Sequence, residues 1–162
     1  TDDRWPVTGM RLARKLGMIS YRSAEEWQQR FGRQFQDHFP HTVFGMHFAV
    51  ESYLEAHAQK FIGQFDPCCY LYLSRAMDWF DAADGHDGDV TALLRETSLQ
   101  QALVLGTHTD WLFPLHQQEY LGACLRKAGI DTDLHALESL QGHDAFLVDS
   151  ERFGPPLGKF LA

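Results

Sequence analysis

The last third of the chain most restricts what it can fold into. A short apolar run, QALVLG (Gln101–Gly106), precedes a helical pattern from Pro114 to Ala128. A second strand-like segment, IDTDLHALE (Ile130–Glu138), follows, and then a helical pattern from Asp144 to Phe153. The first run has the length and continuity of a strand buried on both faces. In the segment after it, Leu121, Cys124, Leu125 and Ala128 share one helix face, and Gly129 stands just past the end. Strand, helix, strand, helix in that order predicts an α/β fold with parallel strands and flanking helices. Two strands cannot cover both faces and both edges of a parallel sheet. The expectation is therefore an incomplete sheet, whose other strands come from residues upstream of Thr1 or from a second chain. Pro155 and Pro156 are expected to break the last helix and leave a short apolar tail, Leu157 to Leu161.

The preceding residues read as helical and rich in aromatics. Val7, Met10, Ala13 and Gly17 recur at helical spacing with Leu12, Leu16 and Ile19 beside them. Ser23-Ala24-Glu25-Glu26 has the pattern of a capping box and predicts a second helix from Ser23. The strongest helical period runs from Phe48 to Phe65 through Val50, Tyr53, Leu54, His57, Ala58, Phe61 and Ile62. Asp66-Pro67 is an N-cap followed by proline in the first helical position, opening a helix to about Phe80. Phe35–Gly45 and Ala83–Asp89 read as loops.

Charge excludes some partners. Asp and Glu number 22 and Lys and Arg 14, a net charge of −8, and there is no basic run. A phosphate backbone or an anionic membrane surface requires clustered Lys and Arg, so neither nucleic acid nor membrane is expected as a partner. No apolar stretch approaches the roughly 20 residues that span a bilayer. The start, Thr1, Asp2, Asp3, Arg4, lacks the basic and apolar regions of a secretory signal. Three cysteines, with Cys68 and Cys69 adjacent, make a poor disulfide framework and point to a reducing compartment, so the expected location is cytoplasmic.

In an open α/β sheet, ligands bind beyond the carboxyl ends of the strands. Thr107–Trp111 follows the first strand and Ser139–Asp144 the second. An acid, Asp110, after one strand and His143 after the next is the order in which α/β-hydrolases carry the acid and base of a Ser–Asp–His triad. The plainer reading is a capping aspartate on a loop and a surface histidine. None of the seven serines (20, 23, 52, 74, 98, 139 and 150) stands in G-x-S-x-G, so the nucleophile of such a triad lies outside these residues. Nine histidines include His38, His41 and His47 near one loop and His108 and His116 around Asp110, but no zinc motif is present and no metal is expected. Cys68 and Cys69, opening an apolar helix, are expected to pack. Tyr70, Tyr72, Trp79 and Phe80 suggest a core or a dimer contact.

Several stretches resemble the homoserine O-acyltransferase family of the α/β-hydrolase superfamily. They are GMRLARKLGMISYRS (Gly9–Ser23), VESYLEAHAQKF (Val50–Phe61), CYLYLSRAMDWFD (Cys69–Asp81), DWLFPLHQQE (Asp110–Glu119) and GHDAFLVD (Gly142–Asp149). The resemblance covers nearly the whole chain and implies the C-terminal part of an α/β-hydrolase fold plus a helical lid. Residues 1–97 would be mostly lid, and 98–162 the C-terminal strands and helices of the core. It implies transfer of an acetyl or succinyl group from acyl-CoA, as co-substrate and with no other cofactor, to the hydroxyl of L-homoserine in methionine biosynthesis. The mechanism would be ping-pong. L-Serine in cysteine biosynthesis is the alternative acceptor, and a non-catalytic dimerising helical fragment the alternative of another class. By resemblance, Asp110 and His143 are the triad acid and base, and Asp144 holds the substrate amino group. Arg14 and Tyr21 are lid residues on the substrate, with Arg14 on its carboxylate. The resemblance also implies a homodimer through the lid helices. The sequence departs from the family at Cys68, where asparagine is common, in the loop Gln34–Thr42, and at His108.

Overall fold

The computed structural model describes residues 5–38 and 42–162. These fall into two compact units, one built on four helices and the other on Tyr21–Ser23 and Phe80–Ala162.

In the first unit the helices are α1 (Val7–Ser20), α2 (Ala24–Arg30), α3 (Ala49–Phe61) and α4 (Pro67–Trp79). α1 and α3 pack on each other and bury Met10, Met18 and Ala58. Arg11 and Lys15 on α1 both pair with Glu55 on α3. Two cations one turn apart stabilise that carboxylate, and Lys15 first among them holds Glu55 below the usual carboxylate range. α2 meets α3 through rings: Trp27 stacks on Phe31 at 5.5 Å, and Phe31 lies 5.0 Å from Tyr53. The residues on either side of Phe39-Pro40-His41 pair where a plain loop was expected. Phe35 and Phe48 form an antiparallel bridge with rings stacked at 4.8 Å. Phe39-Pro40-His41 and the start, Thr1–Arg4, lie outside the described residues.

Two expectations for these helices need correction. α3 stops at Phe61, short of Phe65, because Ile62 turns extended and Gly63 takes φ +81°, a conformation glycine adopts without cost. α4 begins as expected, with Asp66 Oδ1 accepting from the backbone N–H of Cys68 and Cys69 at 2.7 and 3.0 Å. However, Cys68 and Cys69 are exposed, as are Tyr72 and Trp79, so their apolar character does not serve a core within this chain.

The second unit begins with a short helix the sequence pattern missed, α5 (Val90–Arg95), capped by Asp89 accepting from Thr91 N–H at 2.8 Å. Strand β1 (Gln101–Thr107), helix α6 (Leu115–Lys127) and strand β2 (Asp131–Leu137) follow as predicted. The strands are parallel, in register from Gln101 opposite Asp131 to Thr107 opposite Leu137. α6 lies close on the sheet because two positions carry no side chain. A Cβ at Gly122 would come within 2.7 Å of Leu134, and one at Gly106 within 2.9 Å of Leu115. The core is Val104, Leu125 and Ile130, with Leu94, Ala102, Ala128 and Leu134 against it. Gly129, at φ +92°, ends α6, with its N–H on Arg126 O and that of Ile130 on Leu125 O.

The C-terminal helices also depart from expectation. A 3₁₀ turn, Gly142–Asp144, runs into α7 (Ala145–Val148), Asp149 interrupts it, and α8 (Ser150–Leu161) continues through Pro155 and Pro156. The break thus falls at Asp149, whose ψ of 61° is not helical, and not at the prolines. Proline's φ is already helical, and its cost is the lost backbone bond. α8 offsets that cost by burying Phe153 and packing against both strands.

Candidate active site

The parallel register brings the carboxyl ends of β1 and β2 side by side, so the loops after them leave the sheet together. Asp110 stands on the first loop and His143 on the second, and Asp110 Oδ2 lies 3.0 Å from His143 Nδ1. The other oxygen, Oδ1, accepts from the backbone N–H of Leu112 and Phe113, both at 2.9 Å. The two oxygens of Asp110 thus have different partners, Oδ1 the loop amides and Oδ2 the imidazole. With Oδ1 held by two amides, Oδ2 is aimed at the imidazole. An acceptor at Nδ1 selects the tautomer with its proton there and leaves Nε2 with a lone pair.

The imidazole sits among rings. Phe113 meets it edge-on at 4.9 Å and Phe146 edge-on at 6.0 Å, and Tyr21 lies tilted to it at 5.5 Å. A cavity of about 250 Å³ opens at this point, lined by Leu105, Thr107, Phe113, Phe146 and Phe153 together with Asp110 and His143. A mostly apolar cavity with one acid–base pair at its wall is the usual form of a small-molecule site.

The loop carrying His143 is tied down from below. Ser139 donates its hydroxyl to Asp149 Oδ2 at 2.7 Å, and Arg152 Nη1 donates to the same oxygen at 2.8 Å. Ser139 first, then Arg152, holds the Asp149 carboxyl below the usual carboxylate range. A depressed folded-state pKa contributes stability that is complete above the unfolded value of about 3.9 and is lost as pH falls through the folded value. Wild type should therefore exceed Asp149→Asn in urea midpoint at pH 5 to 7, with the gap closing as pH is lowered past about 4. A gap that stays constant down to pH 2 would refute this.

Of the residues singled out in the sequence, Asp110, His143, Tyr21 and Asp144 come together. Asp144 donates its N–H to Tyr21 O at 3.2 Å, and its carboxylate faces Arg22 at 3.8 Å. Its side chain makes no capping bond to the helix that follows. Arg14 belongs to the first unit, where its guanidinium lies over the Phe61 ring at 5.3 Å. His108 turns to Glu138 at 3.4 Å while Asp110 turns to His143. Among the described residues no three His, Cys, Asp or Glu side chains gather where a metal could be held. Among the described residues, too, no helix is long and apolar enough to cross a membrane.

Sequence reasoning missed Phe113 and Phe146 as walls of the site, and Gly142. Gly142 takes φ +63°, and a Cβ there would lie 2.8 to 2.9 Å from backbone atoms of Ser23, Arg22 and Tyr21. Tyr21–Ser23 runs against the histidine loop at this point, with Trp111 Nε1 donating to Arg22 O at 3.1 Å. A glycine immediately before the loop histidine was the available signal.

No family model matches the chain. It is 55% identical over 162 residues to a serine O-succinyltransferase of Stenotrophomonas maltophilia (strain K279a), covering 99% of this chain and 44% of that protein. It is 52% identical, over the same shares, to a serine O-succinyltransferase of Xylella fastidiosa (strain M12). Among solved structures, that of homoserine O-acetyltransferase from Bacillus anthracis matches with a TM-score of 0.84 at 20% identity, over 99% of this chain and 42% of that one. Over nearly its whole length the chain is thus similar in sequence to part of the serine O-succinyltransferases and in fold to part of the homoserine O-acetyltransferase. An acetylester hydrolase from Corynebacterium glutamicum matches with a TM-score of 0.68 at 21% identity, over 96% of this chain and 40% of that one, which again speaks for the α/β-hydrolase fold. The chain spans less than half the length of these acyltransferase relatives.

Proposed function

We propose that this chain supplies the acid and base of an acyl-CoA-dependent O-acyltransferase whose nucleophilic serine lies outside these residues. The single observation that carries the reading is the Asp110 Oδ2 to His143 Nδ1 bond of 3.0 Å at the carboxyl ends of adjacent parallel strands. Residues 1–97 would act as the helical lid, pairing two copies through their helices, and 98–162 would complete a hydrolase core whose other strands come from elsewhere. His143 Nε2 takes the proton from the serine hydroxyl as its oxygen attacks the thioester carbonyl of acyl-CoA. The C–S bond breaks, and the imidazolium returns the proton to the leaving thiolate. The acceptor's hydroxyl then gives its proton to Nε2 and attacks the acyl-serine. The ester product leaves, and the serine oxygen recovers the proton. Asp110 stabilises the imidazolium in both halves.

The names of the relatives at 52 and 55% identity favour L-serine as acceptor and succinyl-CoA as donor. L-Homoserine, with an acetyl or succinyl donor, is the second reading and rests on the family resemblance. Either acceptor is a zwitterion and needs one fixed cation and one fixed anion; by the family resemblance Arg14 is proposed for its carboxylate and Asp144 for its amino group, with Tyr21 as a further substrate contact. The acceptors differ by one methylene, so a discrimination of about 10- to 200-fold is the range such a pocket achieves. In the protein assembled with its remaining core, ester formation with each acceptor and each acyl-CoA should show kcat/KM highest for L-serine with succinyl-CoA. A higher value for L-homoserine would move the assignment to the second reading. Thioester hydrolysis with no ester formed on either amino acid would remove acyl transfer altogether.

A further inference from the structure

Asp110 and His143 stand on two different loops, and their 3.0 Å contact requires the loops to keep their spacing. One side chain spans that gap in both directions. Thr109 Oγ1 donates to Ser139 O at 2.5 Å and accepts from Gly142 N–H at 3.2 Å. Thr109 precedes Asp110, and Gly142 precedes His143. The Thr109–Gly142 bond and the Asp110–His143 bond therefore close a small ring through one peptide link on each side. Within that ring, a shift of one loop against the other bears on both bonds at once. Thr107, the last residue of β1, donates to the same Ser139 carbonyl at 3.3 Å and anchors the ring to the sheet.

We propose that Thr109 is a positioning residue for the acid–base pair, acting by clamping the histidine loop to the acid loop through its hydroxyl. The residue touches neither the reacting atoms nor the imidazole. Its effect is on geometry: without the clamp the histidine loop gains freedom, and the imidazole samples orientations in which Nδ1 leaves Oδ2. Misplacement by about 1 Å of a catalytic group can cost on the order of 10²-fold in rate. The inference deepens the acyl-transfer reading and rests on it for its catalytic part, whereas the clamp itself is a property of the two loops.

The test compares Thr109→Val, which keeps the shape and loses the hydroxyl, with Thr109→Ser, which keeps the hydroxyl and loses the methyl. Both are made in the protein assembled with its remaining core. The readouts are kcat and KM with succinyl-CoA and L-serine, and the proton NMR signal of the His143 Nδ1–H, assigned by its absence in His143→Ala. Thr109→Val should lower kcat by about 10- to 100-fold with KM for succinyl-CoA within about threefold, and should broaden or abolish the Nδ1–H signal. Thr109→Ser should restore both to near wild type. An intact signal and kcat within threefold in Thr109→Val would overturn the proposal. So would equal loss in the Val and Ser variants, since the methyl and not the hydroxyl would then matter. If His143→Ala proves fully active while Thr109→Val, unlike Thr109→Ser, loses the signal, the clamp stands and the acyl-transfer reading falls.

Discussion

Asp110→Asn in the assembled protein should lower turnover by about 10³- to 10⁴-fold, with His143→Ala reducing it by about 10³-fold or more. The structure gives the first of these a specific cause. Leu112 and Phe113 each direct an N–H at Oδ1, so an asparagine must put its oxygen there and turn its NH2 toward His143 Nδ1. Facing a donor, Nδ1 gives up its proton and Nε2 carries it instead, which is the tautomer unable to accept from a serine hydroxyl. The size of the contact hardly changes, so the fold should persist and KM should move little. Turnover within tenfold of wild type for either variant, with an unchanged circular dichroism spectrum, would remove the pair from the mechanism.

The second large effect is expected at Gly142. An alanine there has to hold φ +63°, which costs an L-residue about 1–2 kcal/mol. Its Cβ would also meet three backbone atoms of Tyr21–Ser23 at 2.8 to 2.9 Å. Backbone cannot step aside as a flexible side chain can, and overpacking of this kind adds about 1–3 kcal/mol. A loss of roughly 2–5 kcal/mol in unfolding free energy is expected. The strand of contacts that would give way includes Asp144 N–H to Tyr21 O, Trp111 to Arg22 O, and the Ser23 hydroxyl on Leu140 O. Gly129→Ala is the control, because that glycine has φ +92° with open space around it and so suffers conformational strain alone. Equal urea-denaturation losses for the two variants would defeat the close-approach explanation.

How much of this was legible beforehand differs by element. β1, α6 and β2 were readable because each owes its form to a local pattern: a continuous apolar run, a helical face ending at Gly129, and a second strand of matching length. α3 was read four residues too far, since Phe65 continues the period but Gly63 has already turned the backbone. α5 was missed because six residues give less than two turns of period. The prolines misled, because their local cost was weighed without the packing of α8 on the sheet.

The order of chemical groups along the chain, an acid after one strand and a histidine after the next, was determined by sequence alone, and it agreed with the α/β-hydrolase reading that the family resemblance implied. Strand length and parallel connection bring loop beginnings to the same end of a sheet whatever else happens. What only the tertiary structure decided is how those groups are held: which oxygen of Asp110 faces the imidazole, which rings wall it, why residue 142 bears no side chain, and that Thr109 spans the loops. Several of these depend on partners about 30 to 120 positions away in the chain, such as Ser139 for Thr109 and Tyr21–Ser23 for Gly142. A hydrogen bond or a steric contact acts over about 3 Å in space. Separation along a sequence carries no such distance until the backbone has folded.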